Sequence, residues 1–173
     1  MPTLCTENFD MKVTFIANLS YLILFFYPNQ LADKGYSSYC NSKFDFCIQY
    51  PSSFKKLPPP ENGDGLIFIS ADSLAEIRAY GSLVAALDNG LSDEYSFATT
   101  SLDITYKRMT DHSFIISGMN KDNRIIYRKT SISKIRYMGE PGTQVFRTLM
   151  IEYPASQSAQ YEEYCRRISN SLN

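Results

Sequence analysis

Residues 102–130 read LDITYKRMTDHSFIISGMNKDNRIIYRKT. Leu102, Ile104 and Tyr106 alternate with Asp103, Thr105 and Lys107, the period-two pattern of a strand with one buried face. Phe114-Ile115-Ile116 and Ile125-Ile126-Tyr127 are apolar on both faces, as is Leu149-Met150-Ile151 further on. Such strands belong near the middle of a sheet with material packed on each side. The stretch divides into strands over 102–109, 113–118 and 124–130, and a fourth follows over 145–153. Their links are Asp111-His112, residues 120–123 and a longer connection near Gly139 to Gly142. None has room for a crossover helix, so the sheet is antiparallel and a parallel Rossmann-like arrangement is disfavoured.

Upstream, residues 36–40 and 44–50 form a hairpin around Asn41-Ser42-Lys43, with Phe44, Phe46, Ile48 and Tyr50 on one face and Pro51 ending the run. Residues 66–70 and 76–80 form a second hairpin across Ala71-Asp72-Ser73. Between them, residues 55–65 are an irregular loop built on Pro58-Pro59-Pro60 and Asn62-Gly63-Asp64-Gly65. After the Asn89-Gly90 break, Ser92 caps a short helix ending near Thr100, with Asp93 and Glu94 in the first turn where the helix dipole favours acids. Pro154 closes the last strand and residues 156–172 read as a terminal helix. Its apolar stripe is Tyr161, Tyr164, Cys165, Ile168 and Leu172, with Glu162–Arg166 and Glu163–Arg167 at supporting spacing. The fold class is α+β: an antiparallel sheet of about six to seven strands flanked by helices, the C-terminal helix packed on the sheet.

The beginning of the chain speaks to location. Met11-Lys12 precedes an apolar run from Val13 to Tyr27 and then polar, turn-prone residues ending near Ala32, the layout of a secretory signal peptide. Fifteen or so apolar residues are too few for a comfortable membrane span, which takes about 20. Glu7 and Asp10 do not suit an export signal, so translation is expected to begin at Met11. The domain division is therefore residues 1–32, extension and signal, and residues 33–173, one globular domain of ordinary size. Without Lys12 the 17 basic residues become 16, and without Glu7 and Asp10 the 18 acidic ones become 16 as well. A neutral balance argues against a broad electrostatic grip on nucleic acid or anionic lipid.

Candidate chemistry is sparse. Removal of the signal takes Cys5 and leaves Cys40, Cys47 and Cys165. A two-residue turn at Lys43-Phe44 sets Cys40 opposite Cys47 within bridging reach. A four-residue loop over 41–44 would pair Cys40 with Asp45 instead. Cys47–Cys165 pairing and free thiols are the alternatives. His112 is the only histidine, so a cysteine or serine nucleophile would need its site at the Asp111-His112-Ser113 turn. Glu61-Asn62-Gly63-Asp64-Gly65 offers oxygen ligands but lacks the alternating acids and distal glutamate of a calcium loop. Arg124, Arg128, Lys129, Lys134 and Arg136, with Tyr127 and Tyr137 between them, read as a solvated strand edge rather than a single-strand nucleic-acid platform. No catalytic, cofactor-binding or metal-ligating set is assigned.

Several phrases carry a family resemblance. Phe46-Cys47-Ile48-Gln49-Tyr50-Pro51-Ser52 resembles the opening strand of PsbP-like domains. Asn62-Gly63-Asp64-Gly65, Ala75-Glu76-Ile77-Arg78, Ile104-Thr105-Tyr106-Lys107, Ile126-Tyr127-Arg128-Lys129 and Ile151-Glu152-Tyr153-Pro154 resemble an uncharacterised family of exported bacterial proteins. The resemblance spans residues 36–172 and implies a PsbP-like α/β/α sandwich. That fold includes the extrinsic subunit of photosystem II and a Ran-binding nuclear import factor, both docking proteins without a catalytic site. Fold alone does not fix function.

The expectation is a non-catalytic exported binding or accessory module of the bacterial cell envelope, periplasmic or secreted. Its partner would be an envelope protein, with no cofactor, no nucleic acid and no stable membrane span after cleavage. The competing readings are an exported hydrolase using Cys165 or a serine with His112, and a small-ligand carrier using the tyrosine-rich surface near the proline loop. The signal reading makes a direct prediction: amino-terminal sequencing of protein recovered from a periplasmic extract should give Asp33-Lys34-Gly35, and an intact Met11 end would refute cleavage.

Overall fold

A hairpin of two long strands organises the domain. The structure, a computed structural model, describes residues 35–85 and 90–173. The signal segment, the Met11 start and Cys5 lie outside the described residues. In chain order the elements are β1 (Tyr36–Asn41), β2 (Phe46–Pro51), β3 (Lys55–Lys56), β4 (Gly65–Ile69), β5 (Glu76–Leu83), α1 (Leu91–Thr99), β6 (Asp103–Met109), β7 (Ser113–Met119), β8 (Arg124–Tyr137), β9 (Glu140–Pro154) and, after one 3-10 turn (Ala155–Gln157), α2 (Ser158–Ser171). β8 and β9 pair from Arg124↔Pro154 to Tyr137↔Glu140. Both are far longer than their apolar runs alone indicate. The connection near Gly139 is a tight turn, with Met138 at φ 50° and Gly139 at φ 92°, the left-handed pair that suits the twist of a two-residue hairpin.

The main sheet has seven antiparallel strands in the order β3-β4-β5-β9-β8-β7-β6, and β1-β2 form a separate two-stranded sheet. β9 lies at the centre and divides the core by parity. Val145, Leu149, Ile151 and Tyr153 face one side, where β2 supplies Phe46, Ile48 and Tyr50 and α2 supplies Tyr161, Cys165 and Ile168. Phe146 faces the other side, with Phe114 and Ile116 of β7 and Leu91 of α1. Each fully buried side chain of this size removes enough apolar surface to stabilise by about 1.5–3 kcal/mol, which is why two helices of modest intrinsic stability stay docked. Gly81 is placed where the Phe44 ring crosses the sheet; a Cβ there would lie 2.1 Å from the ring.

Among the described residues, one buried side-chain polar atom, Gln157 Oε1, has no hydrogen-bond partner; the others are matched. The Arg128 guanidinium is inside, paired with Glu94 of α1 and donating from Nε to Thr130 Oγ1 at 3.1 Å, while Thr130 and Thr148 share a hydroxyl bond of 3.1 Å. On the other face, Lys129 Nζ donates to the carbonyls of Ser169 (2.8 Å) and Leu172 (3.3 Å), capping the C-terminal end of α2 with a cation where the dipole favours one. The same end of α2 closes the outer edge of β2. The Cys47 amide donates to Asn173 Oδ1 and the Gln49 amide to Ser171 Oγ.

Three expectations are corrected. The loop over residues 55–65 contains a strand, β3, whose two lysines pair with Phe68 and Ile69 of β4. Ser92 lies inside α1, which starts from Gly90 at φ 59° without a side-chain cap. Three of the five basic residues of β8 do not lie on a solvated edge, whereas Lys134 and Arg136, beyond the end of the β7 pairing at Ser131, are exposed. β8 sits between β9 and β7, and Arg124, Arg128 and Lys129 are engaged by Glu152, Glu94 and the end of α2. On α2, Glu163 pairs with Arg166, whose charge Glu162 also favours, and Arg167 lies 3.8 Å over the Tyr36 ring.

The first hairpin has the register Cys40↔Cys47 and Asn41↔Phe46, with the sulfur atoms at disulfide distance, 2.01 Å. The loop it closes is short, so the chain-entropy contribution is about 2 kcal/mol. Replacing both cysteines by alanine should lower the melting temperature by roughly 4–8 °C at unchanged secondary structure. Differential scanning calorimetry with and without reductant checks this, and an unchanged melting temperature would place both thiols in the reduced form.

Candidate functional site

The sheet face under α2 is only partly covered. β9 and the near side of β8 are roofed by the helix, but β7 and β6 extend beyond it. Beside α2 this leaves a groove of about 620 Å³. Its walls are Tyr106 of β6, Ile115 of β7 and Tyr127 of β8 on the sheet side, and Glu162 and Arg166 on the helix side. Tyr153 and Cys165 form the floor. The volume falls within the range of small-molecule and peptide-side-chain sites, and the aromatic walls with a polar helical rim match their usual composition.

Tyr106 reaches the groove through a bulge. A simple alternation would place Ile104 and Tyr106 on the same face. The β6–β7 register instead runs Ile104↔Gly118 and then Tyr106↔Ser117, leaving Thr105 as the extra residue. Thr105 Oγ1 donates to the Ser117 carbonyl at 3.2 Å. Gly118 permits the close approach, since a Cβ there would meet the Asp103 carbonyl oxygen at 2.7 Å. Ile104 therefore stays with the α1 core while Tyr106 turns to the α2 side. The alternation read from the sequence is corrected at this point, and Tyr106, Ile115 and Ser117 are site residues it did not single out. Gly118 is the visible cue for the bulge, but nothing in the local sequence fixes which residue is extra.

The floor is chemically quiet. Burial pushes the Cys165 thiol up to about 12 from 9.0, with its Sγ 4.0 Å from the Tyr153 hydroxyl. Burial likewise raises Tyr153, whose ring stacks on Tyr161 at 4.8 Å, and Tyr127, which is hydrogen-bonded to Ser169. A thiol held neutral in this way is a small apolar group rather than a nucleophile.

The other candidates lie elsewhere. His112 is exposed in the β6–β7 turn, its carbonyl accepting from the Ile132 amide at 2.9 Å. Ile132 is five residues along β8 from Tyr127, which lines the groove with Cys165; at the strand rise that is about 17 Å, so the His112 turn lies outside the groove. Cys40 and Cys47 face each other in the first hairpin, away from the groove. Asp64 of the Asn62-Gly63-Asp64-Gly65 turn is taken by Lys43 and by Asn62 Nδ2, and Asn41 Nδ2 donates to the Gly63 carbonyl at 2.9 Å. That turn fastens the proline loop to the first hairpin. Among the described residues no group of three or more His, Cys, Asp or Glu side chains converges as a metal site. No helix there is long and apolar enough to cross a membrane.

No protein-family model and no curated protein matches this chain. Among solved structures, the chain is similar to cyanobacterial PsbP (CyanoP) from Synechocystis sp. PCC 6803, determined in solution. The TM-score is 0.56 at 12% sequence identity, covering 80% of this chain and 92% of that one. At that identity the likeness speaks to fold, and the domain is PsbP-like: an antiparallel sheet with helices on both faces.

Proposed function

We propose that the chain is an exported, non-catalytic accessory module of the bacterial envelope that holds a protein partner in the groove between α2 and β6. The observation that carries this reading is the groove itself: aromatic walls, a charged helical rim, and a floor whose only thiol is protonated. A surface of that kind gains from burying aromatic area and has no group poised to attack a bound molecule. The PsbP-like fold supports a docking role, since the resemblance implies docking proteins of this shape. The Cys40–Cys47 pair supports an oxidising compartment, because such bonds persist outside the reducing cytosol. The cysteine form of the hydrolase reading loses its footing, because Cys165 lies in the groove with Tyr127 while the sole histidine is held by Ile132, five residues further along β8. The carrier reading keeps one point in its favour, a groove large enough for a small aromatic molecule. That groove lies beside α2 and not near the proline loop.

Two measurements follow. A photoreactive phenylalanine in place of Tyr106 should trap a discrete envelope protein in living cells, while the same group in place of Tyr80 on the opposite face should not. No adduct at either position would overturn the partner reading, and a small-molecule adduct seen by native mass spectrometry would favour the carrier. Cys165 should resist iodoacetamide at pH 8 in the folded protein and react only on unfolding. Because its thiol is raised by folding, its contribution to stability is fully present below pH 9 and is lost as the pH climbs through about 12. Thermal melts across that interval should fall more steeply for the natural protein than for Cys165→Ala.

A further inference from the structure

The seven-stranded sheet ends differently at its two margins. β3 is two residues long and both are lysines, too short to template another strand. β6 is seven residues long, six of them exposed, and among the described residues no strand lies beyond it. Both flanks of β6 are hollow. The α2-side groove ends on Tyr106, and on the α1 side a second hollow of about 360 Å³ lies between Tyr95, Thr99 and residues 104–107. The bulge at Thr105 creates this arrangement by sending Ile104 to one hollow and Tyr106 to the other. Lys107 and Arg108 follow, on opposite faces of the strand, both exposed and neither ion-paired among the described residues.

A strand laid against β6 would use its outward amide and carbonyl groups and send alternate side chains into the two hollows, the geometry of recognition by strand addition. The local charge selects what can lie there. We infer that β6 accepts an extended segment of a partner protein as an eighth strand. Two neighbouring carboxylates of that segment meet Lys107 and Arg108, and the apolar residues beside them enter the hollows at Tyr106 and Ile104. A second copy of this chain is the poorer occupant, because pairing β6 with itself around these residues sets cation against cation. The inference rests on the partner reading of the groove and adds to it the conformation and charge of what is bound.

Panning displayed random peptides against the folded protein tests it. The expected winners carry adjacent acidic residues flanked by apolar ones. Synthetic versions should lose about tenfold or more in affinity for the Lys107→Glu/Arg108→Glu double variant. They should lose as much when alternate backbone amides of the peptide are methylated, because that removes ladder bonds and leaves the side chains. Bound peptide should slow amide exchange in β6 and leave β3 unchanged. Both substituted positions are exposed, so the melting temperature should hold; a Lys107→Gln/Arg108→Gln variant gives the same reading if the charge reversal disturbs folding. Failure to enrich peptides, winners without acids, indifference to methylation, or protection on another surface would each overturn strand addition. A concentration-dependent dimer protected at β6 would also overturn it, naming the second copy as occupant. A Tyr106 cross-link that persists while peptides fail removes strand addition and leaves the partner reading standing, whereas loss of both removes both.

Discussion

The alternation along β9 is the constraint from which the domain is built. Its odd-numbered residues, Val145 to Tyr153, press against the first hairpin and α2, and its even-numbered Phe146 and Thr148 press toward the α1 side. A slip of one residue would exchange the two sets and strand Arg147, which now reaches Phe44 and Asp45 of the hairpin, on the wrong face. β8 fixes that register by pairing with β9 over nearly its whole length, and β5 fixes it from the other side. Everything peripheral, including the overhang that makes the groove, is positioned relative to this pair.

Much of this architecture could be read from residue patterns, for identifiable reasons. Phe46, Ile48 and Tyr50 are buried because β2 has one covered face, and such a strand writes its burial into the sequence as simple alternation. The double-sided runs around Ile126 and Met150 belong to interior strands because both their faces need cover. The stripe on α2 is legible for the same reason. The extensions of β8 and β9 toward Met138 are not, because Lys134, Gln144 and Thr143 pair through backbone groups that any side chain permits. β3 is hidden for a related reason, two lysines carrying no apolar signal. The groove was the least legible part. It depends on a bulge that turns Tyr106 over and on α2 stopping short of β7, and neither is a property of a local segment.

The charged residues show how far counting charges can mislead. Arg124, Arg128 and Lys129 look like a basic patch in the sequence, yet each is consumed within the fold, holding Glu152, Glu94 and the end of α2. Lys107 and Arg108, which drew no attention as a pair, are cations facing outward along the longer sheet margin. A net charge of only -1 therefore coexists with a small, directional field where backbone groups are open, and such a field governs the choice of neighbour more than the strength with which it is held. β3 meets the same hazard by brevity together with its two exposed lysines.

The fastening of Cys47 and Gln49 to Asn173 and Ser171 has a consequence for the order of events during synthesis. The first hairpin leaves the ribosome well before the groups that satisfy its outer amides, which lie 126 and 122 residues further along the chain. β9, the middle of the sheet, is also among the final elements to emerge. A nascent chain from which β9 and α2 have not yet emerged can form hairpins but no closed core, so this topology delays consolidation until both are out.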